Sequence, residues 1–409
     1  MRAIGWIVIA VCAFSTCSVQ GKLHDSVALS ANLGRARFDA AIPLLEDCKV
    51  RRSGAEAASC ALLLAGIYRN QGNAAEWAKV MLWLKEGGID GAIDADALRD
   101  FRSKYYADVD FRRMSALPAS AITYPPGRFS VPVVAHDEGK QAGGSLNKLY
   151  WIEIESDGIR ARALVDTGAP HAISMSLYNA TRLGISEVLG RARTSARQLE
   201  AVHPTYQNEY RLAKRVSIGD LTLSNVMVEV DPNATDDTII LGTGLLTRFR
   251  TVTFSKSRLA FNADERPAKS RSAAFRFLST FDLGSSKFLI ETRLKGVAYP
   301  TMIDTGLSST LAIANPLAAT LVRDDDPEFT PDDENGVMPA FKVSHQSVSF
   351  DGIALADAPT LLFWKSPPSS DFSIIIGGEL KEALDMQFDF DAGRIYFWPS
   401  AGALDQGID

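Results

Sequence analysis

The sequence lacks several features that would point directly to a partner. It has only four cysteines and five histidines, and their spacing does not fit the ligand pattern of a metal site. Acidic residues outnumber basic ones by 49 to 43, a net charge of −6, so nothing predicts a nucleic-acid partner. Apolar residues make up 46% and charged residues 22%, which excludes a disordered chain and a multi-span membrane protein. We expect a globular protein of two or three domains that uses no cofactor.

The N-terminus differs in composition from the rest of the chain. Arg2 is followed by an apolar run over residues 3–14 and then by small and polar residues. This order is typical of a secretory signal peptide, and the run is too short to span a bilayer as a helix. We predict a signal peptide at 1–21 and a periplasmic or secreted protein. The alternatives are a lipoprotein anchored at Cys17 and an uncleaved membrane anchor.

Export also suggests how the remaining cysteines are used. Cys48 and Cys60 are the two cysteines beyond the signal peptide, and an exported protein with two thiols usually pairs them. They fall near the end of one helical pattern and the start of the next, where a hairpin would bring them together. We predict a disulfide between them, with two buried free thiols as the alternative.

Residues 22–117 have the spacing of apolar residues that is typical of helices. Apolar and small side chains recur at helical spacing on both sides of the Gly72-Asn73 turn, which resembles a tetratricopeptide-type hairpin. Only one and a half repeats are visible, so a generic helical bundle is the alternative. This small all-α domain is also a possible surface for a protein partner. The Pro-rich segment 118–127 is predicted to be a linker.

From residue 128 onward the pattern has a period of two and many β-branched residues, as all-β domains do. Its main feature is an internal repeat, because Asp-Thr-Gly begins at Asp166 and again at Asp304. Each copy has a turn glycine eight residues earlier and an apolar run ending in glycine later, at Gly242 and Gly377. The gaps from aspartate to that glycine are 76 and 73 residues. Landmarks in the same order at near-equal spacing indicate duplicated domains.

The paired motifs resemble those of the aspartic peptidases, specifically retropepsin-like domains joined in tandem into a pepsin-like bilobal unit. The resemblance covers residues 128–400 and implies a first lobe at 128–262, a linker at 263–272 and a second lobe at 273–400. The predicted fold is therefore multidomain α+β, with the small all-α domain followed by two homologous all-β acid-protease-like lobes. The family also implies a monomer that binds an extended peptide or protein substrate between the lobes.

The resemblance implies that Asp166 and Asp304 face each other as a catalytic pair. Hydrolysis of a peptide then needs one group to deprotonate water and another to protonate the carbonyl oxygen. Two carboxylates about 3 Å apart cannot both ionise, so they share one proton, as is established for aspartic proteases. The remaining motif residues support the pair, the glycines by leaving room and the threonines by cross-linking the loops: Thr167, Gly168, Thr305 and Gly306. The leading interpretation is an exported, metal-independent aspartic endopeptidase.

Two positions depart from the pepsin-type pattern, in which Ser or Thr follows Asp-Thr-Gly. These positions hold Ala169, the retroviral-type choice, and Leu307, which is unusual. Leu307 motivates one alternative, a bilobal peptide-binding module that no longer hydrolyses. A further alternative takes the helical domain as primary and makes the chain a periplasmic adaptor.

A substrate flap is expected near residues 190–212 of the first lobe. Tyr206 and Tyr210 lie at about the distance along the chain at which pepsin-like enzymes have a flap tyrosine. Ordinary strand packing is the alternative for either ring. His171, three residues beyond Gly168, is expected to be a solvated loop residue, with modulation of the dyad as the alternative.

Overall fold

A computed structural model of the chain describes residues 20–85, 108–134, 149–193, 207–234, 237–263, 265–268, 270–279, 286–329, 340–365 and 371–400. A group of helices is followed by two β-rich lobes, which confirms the predicted fold class. The predicted signal peptide lies outside the described residues apart from its last two positions, which begin the first helix. None of the described helices has the length and apolar character needed to cross a membrane.

Residues 20–85, called the helical segment below, form four helices in series. Their bounds are α1 (Gln20–Gly34), α2 (Phe38–Arg51), α3 (Gly54–Asn70) and α4 (Ala74–Lys85). A disulfide between Cys48 and Cys60, whose Cα atoms lie 6.1 Å apart, joins α2 to α3. Small buried side chains such as Ala58 and Ala61 let the helices pack closely.

The first lobe is a nine-stranded sheet with three short helices. Its strands are β1 (Asp108–Val109), β2 (Ala121–Thr123), β4 (Trp151–Ser156), β5 (Ile159–Val165), β6 (Ile173–Ser176), β7 (Glu187–Arg193), β8 (Gln207–Ile218), β9 (Leu221–Asp231) and β10 (Ile239–Leu241). Their spatial order is β1-β7-β8-β4-β5-β10-β6-β9-β2. The helices are α5 (Phe111–Ser115), α6 (Leu177–Arg182) and α7 (Thr243–Leu246).

The second lobe repeats this plan in an eight-stranded sheet. Its strands are β14 (Arg276–Ser279), β15 (Ser286–Leu294), β16 (Val297–Asp304), β17 (Leu311–Ala314), β18 (Glu328–Phe329), β19 (Phe341–Phe350), β20 (Ile353–Phe363) and β21 (Ile374–Gly377). Two 3-10 helices, Ala318–Thr320 and Gly378–Glu382, complete it. In each lobe one apolar strand lies between a parallel and an antiparallel neighbour: β10 between β5 and β6, and β21 between β16 and β17.

A third sheet of six strands joins the two lobes. It contains β3 (Phe129–Pro132), β11 (Thr251–Phe254), β12 (Arg258–Phe261), β13 (Arg271–Ala274), β22 (Leu384–Asp389) and β23 (Arg394–Pro399), in the order β13-β23-β22-β11-β12-β3. The closing hairpins of the two lobes meet where β11 pairs with β22. Aromatic rings pack beneath this junction, with the Phe254 and Phe388 centroids 5.6 Å apart. The lobes therefore share a continuous core.

The structure departs from the predicted segment bounds at two places. Within the range predicted to be helical, β1 pairs with β7 of the first lobe. The segment 118–127, predicted to be a linker, contains β2, which adds to the sheet beside β9. Both stretches place their backbone N–H and C=O groups against a strand edge, where hydrogen bonds satisfy them.

The helical segment packs directly on the first lobe. Trp77 of α4 lies edge-on to Tyr210 of β8, with ring centroids 5.1 Å apart, and contacts Phe111 at 5.2 Å. In the turn between α3 and α4, the Gly72 carbonyl accepts a 2.7 Å hydrogen bond from the N–H of Met227. These residues belong to the same buried core as the lobe. The helical segment and first lobe are therefore one packed body.

Candidate active site

Each aspartate of the paired motifs stands at the carboxyl end of a central strand. Asp166 directly follows β5, and its N–H donates to the Leu241 carbonyl at 2.9 Å. Asp304 ends β16 and is paired in register with Gly377 of the parallel strand β21. Pairing with the apolar strand of each lobe therefore fixes the point along the sheet at which its aspartate emerges. The repeat seen in the sequence becomes two equivalent loops that approach each other.

Two buried threonines bind these loops together across the lobes. The N–H of Thr167 donates to the hydroxyl of Thr305 and the N–H of Thr305 to the hydroxyl of Thr167, each at 3.0 Å. Each hydroxyl then donates across the interface at 2.8 Å, Thr167 to the Ile303 carbonyl and Thr305 to the Val165 carbonyl. Both threonines are 1% exposed. Four reciprocal bonds shielded from water fix the relative position of the loops.

Glycine is required in both loops because the opposite carboxyl group occupies the space of a side chain. A Cβ at Gly168 would lie 2.9 Å from the carboxyl carbon and both oxygens of Asp304. A Cβ at Gly306 would lie even closer to the carboxyl group of Asp166. No real Cβ tolerates such approaches, so any other residue would push the carboxyl groups apart.

The two carboxyl groups are electrostatically unequal. Burial, the negative charge of Asp166 and the hydrogen bond between the two groups together raise the pKa of Asp304 well above its usual range. Burial also raises the pKa of Asp166, but the hydrogen bond from Asp304 and nearby backbone N–H groups oppose that rise. The N–H of Gly168 donates to Asp166 at 2.6 Å. The arrangement therefore favours a proton on Asp304 and a negative charge on Asp166.

The residues at 169 and 307 lack the hydroxyl that is common there in pepsin-type loops, but their backbone N–H groups act on the aspartates. The N–H groups of Ala169 and Gly306 lower the pKa of Asp166, and those of Gly306 and Leu307 lower the pKa of Asp304. Sequence reasoning missed these donors because any residue type at 169 or 307 would supply them. The unusual Leu307 thus keeps a backbone donor while lacking a hydroxyl.

Of the two predicted flap tyrosines, Tyr210 is among the described residues and is buried away from solvent. Tyr206 lies outside the described residues. Tyr210 is 1% exposed, because Trp77 covers one part of its ring and the Arg69 guanidinium lies 5.4 Å from the ring centroid. The prediction for Tyr210 is wrong, since this side of β8 is buried against the helical segment.

The expectation that His171 is solvated is also wrong. Its side chain is 11% exposed, and its Nε2 contacts the carboxylate of Glu229 on β9. The sequence offered no signal for this pair, because the two residues are 58 positions apart.

The arrangement can act on a substrate through one acid and one base. Asp304 carries a proton that it can donate, and Asp166 carries a charge that can accept one. Among the residues that the structure describes, no group of three or more His, Cys, Asp or Glu side chains is placed to hold a metal ion.

The chain is similar to known proteins in this region. Residues 152–248 match the family model described as a gag-polyprotein putative aspartyl protease, which covers the first lobe from β4 to just beyond α7. This match confirms the resemblance of the first lobe to aspartic proteases of the retropepsin type. No curated protein matches it.

The chain also matches solved structures at low identity, among them the following three. A retropepsin-like aspartic protease from Rickettsia conorii is 19% identical, covering 35% of this chain and 92% of that chain with a TM-score of 0.25. An aspartic proteinase from Irpex lacteus is 12% identical, covering 68% and 98%, with a TM-score of 0.41. Basic 7S globulin from soybean is 10% identical, covering 70% and 98%, with a TM-score of 0.40. Identities this low carry no information about activity.

The raised pKa of Asp304 predicts a pH-dependent effect on stability. A carboxyl group whose pKa is higher in the folded state contributes stability below its unfolded pKa, and this contribution is lost as the pH rises. Asn cannot ionise, so Asp304→Asn should raise the melting temperature by a few degrees at pH 7 and leave it unchanged at pH 3. The measurement is differential scanning calorimetry at both values. Asp351→Asn, on an exposed turn of the second lobe, is the control and should change neither. A lower melting temperature for Asp304→Asn at pH 7 would contradict the proton assignment.

Proposed function

We propose that this protein is an exported aspartic endopeptidase that hydrolyses peptide bonds with water activated by Asp166 and Asp304. The observation that carries the proposal is the reciprocal threonine cross-link, which holds two electrostatically unequal carboxyl groups in one hydrogen-bonded pair. Structural proteins have no need for two carboxyl groups buried against each other, because such an arrangement destabilises the fold.

We assign the base role to Asp166 and the acid role to Asp304, because burial and the charge of Asp166 raise the pKa of Asp304 well above its usual range. The Asp166 carboxylate accepts a proton from water, and the water oxygen bonds to the carbonyl carbon of the scissile peptide. Asp304 donates its proton to the carbonyl oxygen, so the intermediate is a neutral tetrahedral diol and the carboxylate is now Asp304. Asp166 then donates its proton to the peptide nitrogen, a hydroxyl of the diol returns a proton to Asp304, and the C–N bond breaks to leave an acid and an amine. The pair ends as it began, with one shared proton.

The substrate class follows from the bilobal arrangement. The loops meet between two lobes, and an extended peptide bound there can hydrogen-bond its backbone to protein on both sides. We propose an extended segment of peptide or protein as substrate, and one complete site in each monomer. A periplasmic or extracellular location and a protein partner for the helical segment are parts of the same proposal that rest on the sequence alone.

A binding module without hydrolytic activity is the second candidate, and Leu307 is the observation that favours it. A leucine beside the carboxyl pair adds apolar bulk where a hydroxyl donor is common. The backbone N–H of Leu307 still acts on Asp304, which favours the enzyme over the binding module.

Cleavage of a denatured protein library separates the two candidates. We expect the parent to release peptides, and both Asp166→Asn and Asp304→Asn to lose at least about a thousandfold in rate, because each removes one half of an acid–base pair. Mass spectrometry of the released peptides is the measurement. Asp351→Asn is a matched control and should cleave like the parent. Peptide binding without cleavage by the parent would instead support the binding module.

The missing hydroxyl at Leu307 predicts where activity lies on the pH scale. Loss of a donor to a carboxylate raises its pKa, so we expect an optimum that is mildly acidic to near neutral. Leu307→Ser should move the acidic limb of the kcat/KM profile to lower pH. Leu307→Ala removes the bulk without adding a donor, and it should move that limb less than the serine does. Equal shifts for the two variants, or a parent optimum at strongly acidic pH, would contradict this account of the loop.

A further inference from the structure

The loop that carries Asp166 is held from outside its own lobe. This first dyad loop, residues 166–172, ends at Ala172, whose N–H donates a 2.6 Å hydrogen bond to the Asn70 carbonyl at the end of α3. Both dyad loops are also held by their own lobes. The N–H of Gly242 donates to the Ala172 carbonyl at 3.3 Å, and in the second dyad loop, residues 304–310, the N–H of Gly377 donates to the Thr310 carbonyl at 3.0 Å. The first dyad loop therefore has the bond to α3 in addition to the bonds from its own lobe.

The contact with α3 also explains why residue 244 is a glycine. A Cβ at Gly244 would collide with the Asn70 carbonyl oxygen, to which it would come closer than to any other atom. The position that corresponds to Gly244 in the second lobe, two residues after Gly377, is Glu379. The lobe fold itself therefore accepts a side chain at this position. Glycine is needed in the first lobe because the end of α3 occupies the space.

Buried charges strengthen the same contact. Arg69 of α3 is 5% exposed and lies 3.8 Å from one carboxylate oxygen of Glu229, while His171 of the first dyad loop contacts the other. Burial alone would raise the pKa of Glu229, but His171, Arg69 and Asn208 lower it to about 2. Glu229 is therefore ionised and joins the helical segment and the dyad loop through one carboxylate.

The Arg69 side chain cannot be replaced without consequence for this arrangement. Its guanidinium also lies over the ring of Tyr210, which Trp77 covers from the helical segment. Removing one partner of a buried ion pair leaves the other charge poorly compensated, which is strongly unfavourable. The surrounding loop must then move to let water reach Glu229.

We infer that the helical segment is a positioning element of the candidate active site and that Arg69 is its principal positioning residue. The end of α3 fixes the first dyad loop through Ala172, and Arg69 fixes it through Glu229 and His171. The segment is thus an integral part of the hydrolytic body and not a removable pro-segment or a detachable adaptor. The inference deepens the proposed function and rests on it for the statement that the loop acts in hydrolysis.

The loop in question carries the donors that favour charge on Asp166. The N–H groups of Gly168 and Ala169 belong to it. Their hydrogen bonds to Asp166 keep their geometry only while the loop stays in position. Small displacements of catalytic groups reduce turnover strongly while substrate binding elsewhere in a long cleft is preserved. Loosening the helical segment should therefore act on kcat more than on KM.

The test compares Arg69→Met with the parent by amide hydrogen exchange of the full chain. Exchange at Ala172 and its loop should quicken by about tenfold or more, while the second dyad loop, 304–310, exchanges as in the parent. Arg69→Lys keeps the charge and should recover most of the protection. Lys79→Met removes a charge from an exposed ion pair of the same segment and should change neither loop.

Steady-state kinetics on the same variants complete the test. We expect kcat to fall by about tenfold in Arg69→Met with KM within about twofold, and Arg69→Lys to lie near the parent. Equal quickening of both dyad loops, or unchanged protection at Ala172, would overturn the inference, since the segment would then act on global stability or not at all. Exchange does not depend on turnover. A parent that cleaves nothing would therefore contradict the proposed function while the exchange result still decides the positioning role.

Discussion

Two carboxyl groups can share one proton only if the protein holds them together against their mutual repulsion and against burial. Here Thr167 and Thr305, which are 138 positions apart, hold the two loops together through four hydrogen bonds. Two of the bonds join the threonines to each other, and two run from their hydroxyls to backbone carbonyls across the interface. Water cannot compete for these bonds because both side chains are buried. Other features near the site also allow the two carboxyl groups to meet. The glycines of the two loops leave room for them, and the apolar strands fix the position at which each aspartate leaves its sheet.

The lobes are kept in register by contacts that lie close to the same loops. The hydroxyls of Thr243 in the first lobe and Ser286 in the second are hydrogen-bonded. Lys381 of the second lobe donates to the Leu149 carbonyl of the first and lies over the Tyr150 ring, and burial lowers the pKa of this lysine to about 8. The six-stranded sheet beneath adds a shared core. The relative position of the lobes is therefore supported by side-chain contacts as well as by the shared sheet.

The central chemistry could be predicted from the sequence because it is encoded by local motifs that occur twice. Asp166 and Asp304 were identifiable from the repeated Asp-Thr-Gly motif together with its resemblance to the aspartic peptidases, and the need for Gly168 and Gly306 followed from two carboxyl groups in contact. What could not be predicted depends on tertiary contacts between distant segments. Tyr210 has the spacing of a flap residue, but which face of β8 it occupies depends on Trp77, which is 133 positions away. The backbone donors at 169 and 307 could not be predicted from residue type, because nearly every residue has a backbone N–H. The requirement for glycine at 244 could not be predicted either, because it depends on the contact with Asn70.

The central claim is that both halves of the dyad come from one chain. Titration of the purified protein with a tight-binding statine-containing peptide measures this directly, by calorimetry or by loss of activity. A dyad built within each monomer predicts one inhibitor bound per chain, because the linked lobes meet at high effective concentration. A stoichiometry of one inhibitor per two chains would show that lobes pair between molecules, and would contradict the account.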